Sequence, residues 1–175
     1  MTYNCIMCGS EHTELFGNDP HRYCAPCNKR KQELKGVASE IIPYNKYFEG
    51  GIWLGDAQSA KIFKGVIICV HENAEYCVKG AIHLPILEKL PNSVLDRTGA
   101  VASLRKLNNV SARITSYTID KNKILIHCAG GVERSPLALA YHLASIGFKE
   151  NIEEAYKYII ERRSIVSRRL YWLPE

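Results

Sequence analysis

Ile124-Leu125-Ile126-His127-Cys128-Ala129-Gly130-Gly131-Val132-Glu133-Arg134-Ser135-Pro136 decides how this chain is read. The apolar run Ile124–Ile126 predicts a short buried strand. Ser135-Pro136 predicts the cap and first turn of a helix, continuing from Leu137 to about Ser145 and stopping near Gly147. Between them lies a cysteine, five residues, then an arginine. A tight loop that feeds a helix N-terminus gathers backbone N–H groups around one point, with the helix dipole behind them, and so suits a phosphate dianion. Gly130 and Gly131 permit backbone angles that other residues resist. The amides of Ala129, Gly130, Gly131, Val132 and Glu133 are the expected cradle. Arg134 closes it with a planar fork that matches two phosphate oxygens. The same donors stabilise a thiolate, which makes Cys128 the candidate nucleophile. His127 is expected to orient the loop by hydrogen bonding. The Ser135 hydroxyl is placed to donate to the sulfur and ease its departure from a phosphocysteine.

Outward from this loop, the flanks alternate in period. Ile52–Gly55, Gly65–Val70 and Ala81–Pro85 read as strands. Leu104, Leu107, Val110, Ile114 and Tyr117 recur every three or four residues and predict one helix over about 98–118. Asn151 is placed to cap a last helix, with Glu153 and Glu154 in its first turn and Arg162 and Arg163 at its end, as the macrodipole favours. This alternation predicts an α/β fold with a mainly parallel central sheet flanked by helices. The ligand site of such a sheet lies at the carboxyl ends of its strands, where Cys128 sits.

His127-Cys128-Ala129-Gly130-Gly131-Val132-Glu133-Arg134-Ser135 resembles the His-Cys-x-x-Gly-x-x-Arg-Ser/Thr signature of protein tyrosine phosphatases, and the short domain resembles their dual-specificity branch. Gly51–Ala57 and the stretch from Ile152 to Arg163 are also similar to that branch, so the likeness covers roughly 45–175. It implies a phosphatase domain over 47–175 that hydrolyses phosphotyrosine and/or phosphoserine and phosphothreonine on proteins. It also implies a general acid on an upstream loop. Asp96, 32 positions before Cys128, is the candidate, with Glu88 in Leu84-Pro85-Ile86-Leu87-Glu88 as its rival. Glu133 departs from the common pattern. A carboxylate there is able to brace Arg134 or His127 and is expected to repel polyanionic ligands. The resemblance further suggests that Cys69 shields an oxidised nucleophile by disulfide formation, whereas a cysteine in a buried strand otherwise packs as a small apolar residue.

Near the N-terminus stand Cys5-x2-Cys8 and, fifteen residues on, Cys24-x2-Cys27. Two such turns supply the four soft ligands of tetrahedral Zn2+, and a filled four-ligand site is structural, with no open catalytic position. Residues 1–35 are therefore expected to form a zinc-ribbon-like module, joined by a linker at 36–46. No cofactor is expected for catalysis. Arg22, Lys29, Arg30 and Lys31 leave docking to a protein or a nucleic acid open for this module.

Composition bounds these readings. The 175 residues are 46% hydrophobic, too apolar for a disordered chain, and the net charge of +5 is too mild to indicate nucleic-acid binding by itself. No apolar run is long enough to span a membrane, and the N-terminus lacks the basic-then-apolar pattern of a secretory signal. An intracellular protein of cytoplasm or nucleus is expected, acting on a phosphorylated protein and not on a membrane. An odd total of seven cysteines, four of them in close pairs, argues for metal ligation plus a reactive thiol and against a disulfide framework. The alternatives to a protein phosphatase are an RNA 5′-phosphatase and a phosphoprotein-binding adaptor docked by its zinc finger.

Overall fold

The computed structural model describes residues 3–5, 10–14, 23–45, 48–92 and 97–174. Strands β1 (Tyr3–Asn4) and β2 (Glu11–His12) form a small antiparallel pair, followed by helix α1 (Ala25–Glu33). Next come β3 (Ser39–Ile42), β4 (Ile52–Gly55), the short helix α2 (Ala57–Ala60), β5 (Val66–Cys69) and β6 (Ile82–His83). Then β7 (Leu87–Lys89) pairs with β8 (Val101–Ala102). Helix α3 (Leu104–Ile119), strand β9 (Ile124–His127), and helices α4 (Arg134–Ser145) and α5 (Ile152–Arg162) complete the order.

The central sheet runs β3-β4-β9-β5-β6, parallel throughout except for edge strand β3. This is the α/β arrangement expected from the alternation of periods. Ile124, Leu125 and Ile126 of β9 are all fully buried, as a strand covered on both faces requires. Leu107, Val110 and Ile114 of α3, Leu139 and Leu143 of α4, and Tyr156 and Ile159 of α5 fill the core around them. Each such side chain contributes about 2 kcal/mol of burial free energy. Register fixes what stands beside β9. Gly55 of β4 and Cys69 of β5 pair with His127, so three strand ends lie level and their loops share one edge.

Four expectations need correction. Ser39–Ile42 fall within the stretch read as a linker, yet they form β3, because Ile41 and Ile42 bury completely against the sheet. The α3 helix begins at Leu104 and not near 98, because Val101–Ala102 are drawn into pairing with β7; Leu104, at its first position, is 45% exposed. Ser135 is not a cap: α4 starts at Arg134, two residues earlier than that cap implies, with Glu133 in the cap position. Finally, Cys69 and Cys77 form a disulfide. Cys69 ends β5, and the single-turn helix Ala74–Tyr76 folds the chain back until the two Cα atoms are 5.7 Å apart, within bridging reach. Cys69 is thus paired with Cys77 and not with Cys128. No helix of the described residues is long and apolar enough to cross a membrane.

Candidate active site

Cys128 follows β9 at the floor of a cavity of about 470 Å³. Its side chain is 3% exposed, and Ser135 Oγ donates to its Sγ at 3.3 Å. Ser135 reaches the sulfur because it sits inside the first turn of α4. His127 is fully buried. Its Nδ1 lies 3.3 Å from the Cys128 carbonyl, a contact that only an Nδ1–H can make. Burial lowers the imidazole pKa, opposed by that backbone contact and by Asp56, and this keeps the ring neutral.

The loop's carbonyls are tied to the scaffold. Ala57 N–H donates to Ala129, Ser167 N–H to Val132, and Arg163 Nε to Gly131. Arg163 also donates to the Val37 carbonyl and to Ser39 Oγ, which links the loop to the start of β3. Gly131 has φ +64°, and a Cβ there would stand 2.5 Å from the Gly55 carbonyl oxygen. Only glycine fits this approach of the loop to β4.

Arg134 is 9% exposed. Its Nε donates to Glu72 Oε2 at 2.6 Å, which leaves the two Nη groups as the free edge of the fork. Glu72 lies in the loop after β5, beside β9 in the sheet, and the Cys69–Cys77 disulfide closes that loop. The sequence contained a signal for it, a carboxylate two residues beyond the strand read over Gly65–Val70, but only the strand order turns that signal into a contact. His71, on the cavity wall, has its pKa pushed down to about 4 by burial and by Arg134, against Glu72.

Glu133 does not face the cavity as an unpaired charge. Its Oε1 accepts from Arg169 Nε at 3.0 Å and Nη2 at 2.5 Å, and lies 3.5 Å from Arg97 Nε. Arg134 Nη1 is more distant, 3.9 Å from Oε2. The expected bracing of Arg134 is therefore secondary. The main partner is Arg169, 36 residues away, and the expected repulsion of anions is offset by the arginines. Arg97 is held in place by its own carbonyl, which accepts from Trp172 Nε1 at 2.9 Å.

Of the two acid candidates, Asp96 lies outside the described residues, while its neighbour Arg97 lines the cavity. Glu88 is exposed on β7 and does not line it. The cysteine-rich module also reaches the site: Tyr23 and Lys31 stand in the cavity wall. Tyr23 is 4% exposed, and burial followed by the Glu133 charge pushes its hydroxyl up to about 12. In the same module the ligand atoms of Cys5, Cys24 and Cys27 lie within 4.8 Å of one another, all three buried, and Cys24 N–H donates to Cys5 Sγ. Converging buried thiols with an amide donor suit a soft divalent cation. Cys8, the fourth expected ligand, lies outside the described residues.

Comparison with known proteins agrees with this geometry. Residues 56–173 match the family model "Dual specificity phosphatase, catalytic domain". A curated relative, dual specificity protein phosphatase 5 of Rattus norvegicus, is 46% identical over 46 residues, which is 26% of this chain and 12% of that protein. Similar solved structures include PTPMT1 in complex with PI(5)P, at 22% identity and TM-score 0.53, covering 69% of this chain and 84% of that one. The human tyrosine phosphatase-like serine/threonine/tyrosine-interacting protein aligns at 21% identity and TM-score 0.54, covering 77% and 89%. Both likenesses are ones of fold.

Proposed function

The chain belongs to the dual-specificity phosphatase family, and on that premise we propose that it hydrolyses phosphate monoesters on protein side chains, phosphotyrosine and/or phosphoserine and phosphothreonine, through a phosphocysteine intermediate. The carrying observation is that Ser135 Oγ meets Cys128 Sγ at 3.3 Å in the cavity where Glu72 fixes Arg134. Arg134 and the amides of residues 129–133 bind the phosphate oxygens. The Cys128 thiolate attacks phosphorus in line, so that a P–S bond forms as the P–O bond to the side chain breaks. Asp96 gives its proton to the departing oxygen. Water then attacks the phosphocysteine, Asp96 takes a proton from it, and the P–S bond breaks to release inorganic phosphate while Ser135 donates to the sulfur. His127, neutral and buried, steadies the loop through the Cys128 carbonyl.

Kinetics on three substrates test this reading. Phosphotyrosine and phosphothreonine peptides are expected to turn over with kcat/KM above that of 5′-triphosphorylated RNA. Faster phosphate release from the RNA selects the RNA-phosphatase alternative, and tight phosphopeptide binding without turnover selects the adaptor.

The N-terminal module is assigned one structural Zn2+ held by Cys5, Cys8, Cys24 and Cys27, which staples a segment too small for its own core. The chain then divides into this module, residues 1–35, and a phosphatase domain whose sheet begins at β3. Elemental analysis of the purified chain is expected to give about one zinc per molecule, falling severalfold in Cys24→Ser with a lower Tm. Metal-free wild-type protein with an unchanged Tm would remove the assignment.

A further inference from the structure

Cys69, Cys77 and His83 have no step in the phosphoryl transfer described above, yet the fold brings them together. Their ligand atoms all lie within 4.8 Å of one another. Strand pairing accounts for two of them. β5 and β6 run parallel, Cys69 is the register partner of His83, and Leu84 N–H donates to the Cys69 carbonyl at 2.8 Å. A turn accounts for the third. Asn73 Oδ1 accepts from Glu75 N–H at 2.9 Å and caps the single-turn helix Ala74–Tyr76, and Cys77 N–H donates to the Ala74 carbonyl at 2.9 Å. Cys77 is thereby returned to Cys69. Backbone hydrogen bonds alone preassemble two sulfurs and an imidazole, a donor set that selects a soft divalent cation.

The histidine is oriented as a ligand would be. His83 Nε2 lies 2.7 Å from the His71 carbonyl oxygen. A carbonyl only accepts, so Nε2 carries the proton and Nδ1 keeps its lone pair. A bond from one ring N–H to a backbone carbonyl is the tether that fixes the tautomer of metal-ligating imidazoles. His83 is exposed, so packing does not account for the tether. Cys69 is fully buried and Cys77 half-buried, which leaves one side of the cluster open to solvent, to a reductant and to a metal ion. As a disulfide, the sulfurs offer no thiolate. A small thiol reductant gives them two electrons and two protons as the S–S bond breaks, and is itself oxidised to a disulfide. Zn2+ then displaces the two protons. Two Zn–S bonds of about 2.3 Å and one Zn–N bond of about 2.0 Å form, and a solvent water takes the fourth position. Sulfurs sharing one tetrahedral zinc stand about 3.8 Å apart, a relaxation that half-buried Cys77 at the end of its turn is able to supply.

We propose that Cys69, Cys77 and His83 form a second soft-metal site, separate from the N-terminal cysteine cluster, which takes Zn2+ when the Cys69–Cys77 disulfide is reduced. Disulfide and zinc are two ways of closing the same loop across its base. Residues 70–76 lie between the two sulfurs, and among them is Glu72, whose Oε2 accepts from Arg134 Nε at 2.6 Å. In a reducing compartment the zinc keeps fastened the loop that aims the arginine. The site does not depend on the substrate class proposed above.

The test uses the full chain carrying Cys128→Ser, so that the catalytic thiol takes no metal. The chain is reduced with a phosphine, loaded with Zn2+ and freed of unbound metal. Elemental analysis is expected to give about one zinc per chain more than the same chain with its disulfide intact. The added zinc is expected to be lost in Cys77→Ser and, independently, in His83→Ala, each measured in the reduced state. Differences between chains are read, so the result stands whether or not the N-terminal cluster is filled. His83 is exposed, so His83→Ala is expected to keep the Tm of the metal-free parent and to report on ligation and not on folding. Zn2+ is also expected to slow alkylation of Cys77 by iodoacetamide about tenfold or more, followed by mass spectrometry of the peptide that contains it. No added zinc in the reduced chain, or an added zinc that survives in both variants, overturns the proposal. Loss in only one of the two variants overturns the three-ligand site. Alkylation of Cys77 at one rate with and without Zn2+ overturns it as well.

Discussion

Cys128→Ser is expected to lower kcat for an aryl phosphate by about 10⁴-fold or more. Serine keeps the shape of the side chain and loses the nucleophile, because an aliphatic hydroxyl, unlike a thiol, is essentially un-ionised at neutral pH and is a far weaker nucleophile. Ser135 Oγ, 3.3 Å from the sulfur, is itself a donor, and His127 spends Nδ1 on the Cys128 carbonyl. The variant is expected to fold, since Cys128 makes no covalent link and the replacement is of similar volume. A near-native Tm together with retained competitive binding of a phosphopeptide separates lost chemistry from lost structure. Wild-type turnover in this variant would remove the phosphocysteine mechanism altogether.

Arg134→Lys is expected to reduce kcat/KM by about 10³-fold, with most of the loss in kcat. The charge is conserved, but the geometry is not. Glu72 grips Nε at 2.6 Å and so aims the remaining two nitrogens as a fork. Lysine offers one point charge, which Glu72 competes for directly, and it presents no bidentate edge to a phosphoryl group whose charge spreads over its equatorial oxygens. Single-turnover kinetics check this: the burst of leaving group slows while the hydrolysis of accumulated phosphoenzyme is affected less. An unchanged kcat in Arg134→Lys would show that the fork is not what stabilises the transition state.

Much of the loop was readable before any fold was known, because its parts are contiguous. The buried run Ile124–Ile126, the five-residue loop and the helix start occupy thirteen adjacent residues, and each local preference there points to the same geometry. The last helix was equally legible: Asn151 accepts from Glu154 N–H at 2.9 Å, and Glu153 and Glu154 occupy its first turn. The start of α3 was misplaced for the opposite reason. Nothing local to Val101–Ala102 says that Leu87–Lys89 will take them into a ladder. Glu133 could be recognised as unusual, but not that Arg169 would neutralise it.

The sequence by itself determined most of the elements and the candidate reactive set. A strand, a loop rich in small residues and a helix in succession bring the loop's backbone to a helix N-terminus through local geometry alone, and the cysteine spacing pointed to the cluster that Cys5, Cys24 and Cys27 form. Only the tertiary structure decided what surrounds that set. The Glu72–Arg134 pair spans 62 residues, the Glu133–Arg169 pair 36 and the Trp172–Arg97 contact 75. Such contacts depend on strand order and on which helix faces meet. A local hydrophobic period fixes one face of each element and says nothing about its partner, so the charge balance of the cavity, and the place of the N-terminal module in its wall, appear only when the chain is folded.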